Sequence, residues 1–343
     1  MEFRKYTSID SAYRQKTIDC LIDEELNHGE WVVTEKLHGS NFSIWSDGTE
    51  IRYAKRTGFI KANERFYGYE RVVPSLEEKM KELHRHFAIA DKKTVVVLHG
   101  ELYGGLYPHP DVSHVEGATS VQKGVWYNPD NGFYAFDLMI LRETKTGEGH
   151  KEILDYNNFQ MLMEKIGFFY AKKLFRGSFD QCLNYSNTFQ TTIPDLLGLP
   201  KIEDNICEGV VIKPVRATFF RSGERVILKN KNERWSEKGK KIKVKTKFNF
   251  SPEAQNVLDD IKSMVTENRL RNVLSKIGPI GQKEFGRLLG EMNKDILVEF
   301  NLDSKSEMDS LNNDESKRIH KMISQWVAEL IRPNFQTILD GNF

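Results

Sequence analysis

Residues 30–56 read EWVVTEKLHGSNFSIWSDGTEIRYAKR. Trp31-Val32-Val33-Thr34 is β-branched and aromatic, and so is Phe42 to Trp45; both read as strands. Between them lies a short polar loop with a glycine. Asp47-Gly48 is a hairpin signal, and IRYAKR follows as the return strand. Strand, loop, strand, hairpin and strand thus follow one another directly.

The same pattern continues outward. TVVVLHG (94–100) and FYAFDLMIL (133–141) read as buried strands, and CEGVVIKP (207–214) and RVILKNK (225–231) as two more. SLEEKMKELHRHF (75–87) and YNNFQMLMEKIG (156–167) carry apolar residues at helical spacing. The order is mixed rather than regularly alternating, which predicts an α+β fold with largely antiparallel sheets and flanking helices.

Near residue 248 the character changes. Ser251-Pro252-Glu253 reads as a helix start, with serine as cap and proline at the first position. The stretches 254–278, 283–292 and 316–335 then read as helices without a strand between them, and Pro279 and Pro333 read as stops. The expected organisation is a mixed domain over 1–247 and an all-α domain over 248–343. Between them, residues 225–247 are crowded with lysine and arginine, with only Glu233 and Glu237 opposing. A solvated linker is one reading of such a run; a strip that meets a nucleic-acid backbone is the other. The alternation in KKIKVKTK (240–247) suits an exposed edge strand.

Composition narrows the class. Of 343 residues, 39% are hydrophobic and 29% charged, as in a soluble globular enzyme. The formal net charge of +1 gives no global field for nucleic acid, so any basic footprint is local. The N-terminus is polar with no apolar signal core, and no run is long enough to span a bilayer. Cys20, Cys182 and Cys207 are far apart and form no CxxC pair, which argues against a disulfide framework or a structural zinc site. A cytoplasmic setting, or the host's cytoplasm for a viral protein, is the simplest expectation, with no membrane partner.

Lys36 stands in the loop after the first strand. A lysine amine attacks phosphorus only when neutral, and a free lysine near pKa 10.4 is neutral about once in a few thousand molecules at pH 7. Burial beside other cations or a metal would correct this. A nucleophilic lysine is thus expected among further lysines and arginines, with carboxylates for a divalent ion. The sequence supplies such companions. Arg56 follows a hairpin strand, and Glu101 lies among glycines at a strand end. Phe136 and Asp137 are adjacent on a strand. Glu208 precedes a glycine, Lys213 a proline, and Lys229 and Lys231 share one face of a strand. His109 and His114 sit in a polar loop without a third metal ligand at a fitting spacing; His84 and His86 sit on a helix.

In this order EKLHGSN, AKRTG, HGELYG, FYAFDL, EGVVIKP and ILKNKN resemble motifs I, III, IIIa, IV and V of the covalent nucleotidyltransferases, the polynucleotide ligases and mRNA capping enzymes. Most carry aspartate before the motif I glycine. His38 followed by Gly39-Ser40-Asn41 is similar instead to the RNA ligase 2 family, the phage-type and editing-type enzymes that seal nicks in duplex RNA. RNVLSKIGPIGQKEFGRLLG (271–290) and LIRPNF (330–335) are similar to the helical C-terminal domain of its phage-type members.

The resemblance implies an ATP-grasp-like nucleotidyltransferase domain and an ATP-dependent RNA ligase. Lys36 would attack the α-phosphate of ATP and become lysyl-AMP. It implies catalytic roles for Lys36, Glu208, Lys229, Lys231, Arg56 and His38. It implies nucleotide contacts from Glu35, Lys36, Leu37, Asn41, Arg56, Glu101, Phe136, Val210, Lys229 and Lys231. Mg²⁺ or Mn²⁺ would be held by Glu208 and Asp137. The partner would be nicked double-stranded RNA, or an RNA/DNA hybrid, met by a monomer. The helical domain would help hold the nick. A DNA ligase, a capping guanylyltransferase and a non-catalytic RNA-binding protein are the competing readings.

Overall fold

A computed structural model describes the chain except residues 91, 144–148, 240–242, 245 and 247. It divides into two compact units, Met1–Asn232 and Glu233–Phe343.

The first unit is built on two sheets. Its strands are β1 (Asp10–Ser11), β2 (Trp31–Lys36), β3 (Ser40–Ser46), β4 (Ile51–Lys55), β5 (Gly58–Phe59), β6 (Lys93–Leu106), β7 (Asn128–Glu143), β8 (Gly149–Ile153), β9 (Lys173–Gly177), β10 (Gly209–Pro214) and β11 (Leu228–Lys231). One sheet has the order β1-β11-β10-β2-β9, the other β5-β4-β3-β6-β7-β8. Among the described residues, every pairing of these strands is antiparallel except β1 with β11. The α+β expectation therefore holds. The opening stretch spans both sheets: β2 belongs to one and β3 to the other, so Leu37-His38-Gly39 carries the chain across. The Asp47-Gly48 hairpin is present, with Asp47 Oδ1 accepting from the amides of Thr49 and Glu50 at 3.0 and 2.9 Å.

Side-chain parity sorts the core. Val32 joins a cluster with Phe42, Ile44, Val96, Leu98 and Leu138, covered by the helices Glu77–Phe87 and Tyr156–Ile166. Trp31, Val33, Val210, Ile212 and Leu228 face the other way, onto Leu21, Phe179 and Cys182. Among the described residues, no helix is long and apolar enough to cross a membrane.

The second unit is helical, with helices Pro252–Ser263, Glu267–Ile277, Phe285–Asp309 and Asn313–Leu339 around Leu258, Ile261, Leu270, Met292, Ile296, Ile323 and Val327. Ser251 caps the first of them, accepting from the Ala254 amide at 3.2 Å. Two readings change. Pro333 is not a stop: the last helix runs through it to Leu339, and the Asn334 side chain donates to Leu330 O at 2.9 Å beside the proline. The units also divide at 232/233 rather than 247/248, because residues 233–239 and Val244 bond to the helices. Asn268 Nδ2 donates to Arg234 O and Ser236 O at 3.0 and 2.9 Å, and Val244 N to Asp259 Oδ1 at 2.7 Å. The edge strand read over 240–247 falls mostly outside the described residues.

Candidate active site

The two sheets of the first unit enclose a pocket, part of it open to solvent. Glu35, Lys36, Leu37, Asn41, Arg56, Glu101 and Phe136 all line it, as the sequence predicts. Register explains the convergence. Asn41, Glu101 and Tyr134 are directly opposed across β3, β6 and β7, so they form one row on the pocket face. On the other sheet Lys36, Gly209 and Lys231 are opposed across β2, β10 and β11.

Glu208 ties that second row together. Its carboxylate lies 2.7 Å from Lys36 Nζ and 2.8 Å from Lys231 Nζ, with His38 Nδ1 at 3.7 Å. Glu208 is buried, which alone would raise its pKa. The ammonium groups of Lys231 and Lys36 outweigh burial and hold it well below the usual carboxylate range. Gly209 makes the row possible. Its φ is +144°, and a Cβ there would lie 2.1 Å from Asn230 O. Gly39 is equally constrained, since a Cβ would meet Leu102 O at 2.1 Å and Glu101 Cγ at 2.8 Å. Glycine thus lets the β2–β3 crossing press against β6.

Phe136 occupies a β-bulge. His99 pairs with Asp137 and Gly100 with Ala135, so Phe136 has no partner on β6. A bulge re-aims a side chain beside an active site, and here it frees the Phe136 carbonyl, which accepts from Lys213 Nζ at 3.0 Å. Lys213 also lines the pocket, and burial lowers its pKa to about 8. Glu101 moves the other way. Burial lifts it to about 8, the Lys36 charge opposes the shift and Glu208 adds to it.

Two expected residues sit elsewhere, and a third is on the pocket face without lining it. Val210 is fully buried in the core behind the sheet; Val211, one position on, lines the pocket. A one-residue parity error moves a strand side chain to the opposite face. Asp137 is absent from the pocket lining. It forms a buried cluster with Arg225, accepts from Tyr6 OH at 2.7 Å, and lies 3.8 Å from Lys213 Nζ. Off the pocket lining and paired with Arg225, it does not stand where a metal role was expected of it. Lys229 does not line the pocket either, but it is paired with Val211, which does, and so shares that face. Lys231 reaches the site through Glu208.

Sequence reasoning missed the N-terminal segment. Tyr6 and Ile9 line the pocket, and the Tyr6 ring meets Phe136 edge-on at 5.4 Å. Arg56 Nη1 donates to Thr7 O at 3.3 Å. These ties are tertiary, and a polar N-terminus carries no local signal for them. Thr34, Val211 and Ile227 were missed too; strand alternation could have found them.

The chain matches the RNA ligase family model over residues 29–231, and the T4 RNA ligase 2 C-terminal model over 247–329. RNA-editing ligase 2, mitochondrial, of Trypanosoma brucei brucei is 31% identical over 88% of this chain and 84% of its own. RNA-editing ligase 1, mitochondrial, of the same organism is 29% identical over 81% of this chain and 70% of its own. Among solved structures, a Naegleria gruberi RNA ligase superposes with a TM-score of 0.42 at 15% identity, covering 68% of this chain and 58% of that one. With more than half its length matched by the family model and a relative aligned along most of both chains, the protein belongs to the RNA ligase family.

Proposed function

We propose that this ligase works by covalent nucleotidyl transfer through Lys36 and that its substrate is a 3′-hydroxyl/5′-phosphate nick in duplex RNA, or in an RNA/DNA hybrid. One observation carries the first half. Lys36 Nζ faces the pocket while bound to a buried carboxylate that it shares with a second lysine.

The steps follow from that arrangement. The Lys36 amine, after losing its proton and leaving Glu208, attacks the α-phosphorus of ATP. A nitrogen–phosphorus bond forms, the bond to the β-phosphate oxygen breaks, and pyrophosphate leaves. The RNA 5′-phosphate then attacks the same phosphorus, the nitrogen–phosphorus bond breaks, and Lys36 is restored. The 3′-hydroxyl finally attacks the 5′-phosphorus and AMP departs. Phe136 offers its face to adenine and Glu101 accepts from a ribose hydroxyl. Lys231 and Lys229 offset the charge that grows on the α-phosphate. Arg56 and Asn41 are placed for phosphate or RNA ends, and His38 for the pyrophosphate side.

A divalent cation fits at Glu208. Mg²⁺ takes one or two carboxylates and fills its remaining positions with phosphate oxygens and water, and Glu208 is the carboxylate at the site that is held ionised. Such an ion supplies charge neutralisation at the phosphates. Glu208 would be the residue that holds such an ion, and it also keeps Lys36 Nζ at 2.7 Å.

The duplex-nick reading rests on His38-Gly39-Ser40-Asn41 and on the match of residues 247–329 to the T4 RNA ligase 2 C-terminal model. Action as a monomer in the cytoplasm belongs to the same proposal. Incubation with α-labelled ATP or GTP and Mg²⁺ tests the chemistry. A label that survives denaturation is expected from ATP, and none from Lys36→Ala. Label from GTP alone would indicate a capping enzyme, and no label from either would leave a binding protein. Nick sealing on duplexes carrying RNA or DNA at the 3′-hydroxyl side then tests the substrate.

A further inference from the structure

We propose that four residues outside the ligase motifs, Thr191, Thr192, Asn205 and Tyr127, form a hydrogen-bonded bracket that positions Lys36 for attack on ATP. The proposal rests on the assignment of Lys36 as nucleophile.

Lys36 is the last residue of β2, and the residues that follow it, Leu37 to Gly39, belong to no strand. A long side chain at the end of a strand is aimed only as well as the backbone on either side of it. An attacking atom must sit close to phosphorus and in line, and small misplacement is costly.

Both sides are held from behind. On the N-terminal side, the Glu35 side chain is buried. It accepts from Thr192 N at 2.8 Å and Thr192 Oγ1 at 2.6 Å, and also from Thr191 Oγ1. On the C-terminal side, the His38 amide donates to Tyr127 OH at 2.9 Å. The two anchors are joined to each other. Thr191 N donates to Asn205 O at 2.9 Å. Asn205 then grips the backbone of Trp126 in both senses, accepting from its amide at 2.8 Å and donating to its carbonyl at 2.7 Å. Trp126 leads directly into Tyr127. The circuit runs from Glu35 through Thr191, Asn205 and Tyr127 back to His38, and the nucleophile lies between its ends.

Most of the bracket is buried. Glu35, Thr191 and Asn205 are buried, and Tyr127 is fully so. Burial raises the Tyr127 phenol well above its ordinary value, so its oxygen stays a neutral acceptor. The same frame carries the ion partner of Lys36. Cys207 N donates to Phe189 O at 3.0 Å, which fixes the chain just before Glu208 to the threonine loop. Nucleophile and carboxylate thus hang from one set of hydrogen bonds.

A positioning role separates the reaction steps. Lysyl-AMP formation needs the Lys36 amine in line with phosphorus. Sealing a nick whose 5′-phosphate already carries AMP needs no bond to that amine. Tyr127→Phe removes one anchor while keeping the ring, Thr192→Val loosens the other, and Asn205→Ala opens the middle. Each is expected to slow single-turnover lysyl-AMP formation at saturating ATP by roughly three- to tenfold, the loss of about one hydrogen bond. Apparent ATP affinity and sealing of the preadenylated nick stay within about twofold, a tolerance set at half a hydrogen bond. Equal loss in both steps, or unaltered lysyl-AMP formation, overturns the proposal. If Tyr127→Phe fails to fold, Thr192→Val, at a partly exposed position, decides the matter by the same two rates. Lys36→Ala run alongside keeps the two claims apart: labelled Lys36→Ala refutes the nucleophile, whereas unlabelled Lys36→Ala with unimpaired bracket variants refutes the bracket alone.

Discussion

At the scale of single residues the site is a matter of which carboxylate is held in which form. Glu208 is kept ionised by two lysines, Glu101 is pushed toward neutrality by burial, and Asp137 is spent on Arg225. The last is a structural assignment with a measurable consequence. Asp137 and Arg225 are both buried, and removing one member of such a pair leaves an unpaired charge in the core. Asp137→Ala should lower stability by about 3–5 kcal/mol, read from denaturant unfolding. Loss of activity at full stability would return Asp137 to a metal role. Glu101 makes a pH prediction. Its folded pKa near 8 lies above the unfolded value, so protonated Glu101 favours the fold below the ordinary carboxylate range. That contribution is lost as pH rises toward 8. Thermal midpoints taken at about pH 5.5 and 8.5 should therefore fall further in the wild type than in Glu101→Gln, which has no proton to lose. Parallel curves would place the Glu101 carboxyl in water.

At the scale of elements, strand alternation made much of this legible. Lys229 and Lys231 share a face because strands alternate, and Glu101 lies on β6 opposite Asn41 on β3. The same rule, misapplied by one residue, chose Val210 over Val211. A motif says which strand carries a contact, but parity within the strand depends on the pairing partner, and that is set across the sheet. The bulge at Phe136 is invisible to any local rule, since it exists only in the register of β7 against β6. The N-terminal segment was illegible for the same reason. Tyr6, Ile9 and Thr7 act through Asp137, the pocket wall and Arg56, all distant in sequence. Pro333 shows the converse error. Local propensity favours a break there, but Ile331 and Ile338, on either side of the proline, are both buried in the helical core, and packing outweighs one missing amide.

At the scale of the whole molecule the division at 232/233 separates chemistry from what we assign to nick handling. Each unit has its own apolar core, and every residue proposed for nucleotide transfer lies before residue 233. The basic stretch that follows Asn232 has its backbone partners among the helices: Gly239 N donates to Ser263 O at 2.8 Å, and Thr266 Oγ1 to Glu237 O at 3.1 Å. A cut at 247 would strip those partners from the segment, while a cut at 232 leaves the first unit whole. Chains ending at 232 and at 247 should both form lysyl-AMP at rates within about threefold of the full protein, because the amine, its carboxylate and the bracket are all retained. Both should seal nicked duplex RNA at least roughly tenfold more slowly, since the two ends must be aligned by a second grip. The longer fragment should be nicked by protease after Asn232 faster than the full chain, its tail having lost Ser263, Thr266 and Asn268. Equal sealing by the 232 fragment and the full chain would remove the helical unit from RNA handling. Loss of lysyl-AMP formation in that fragment would draw the helices into the first step instead.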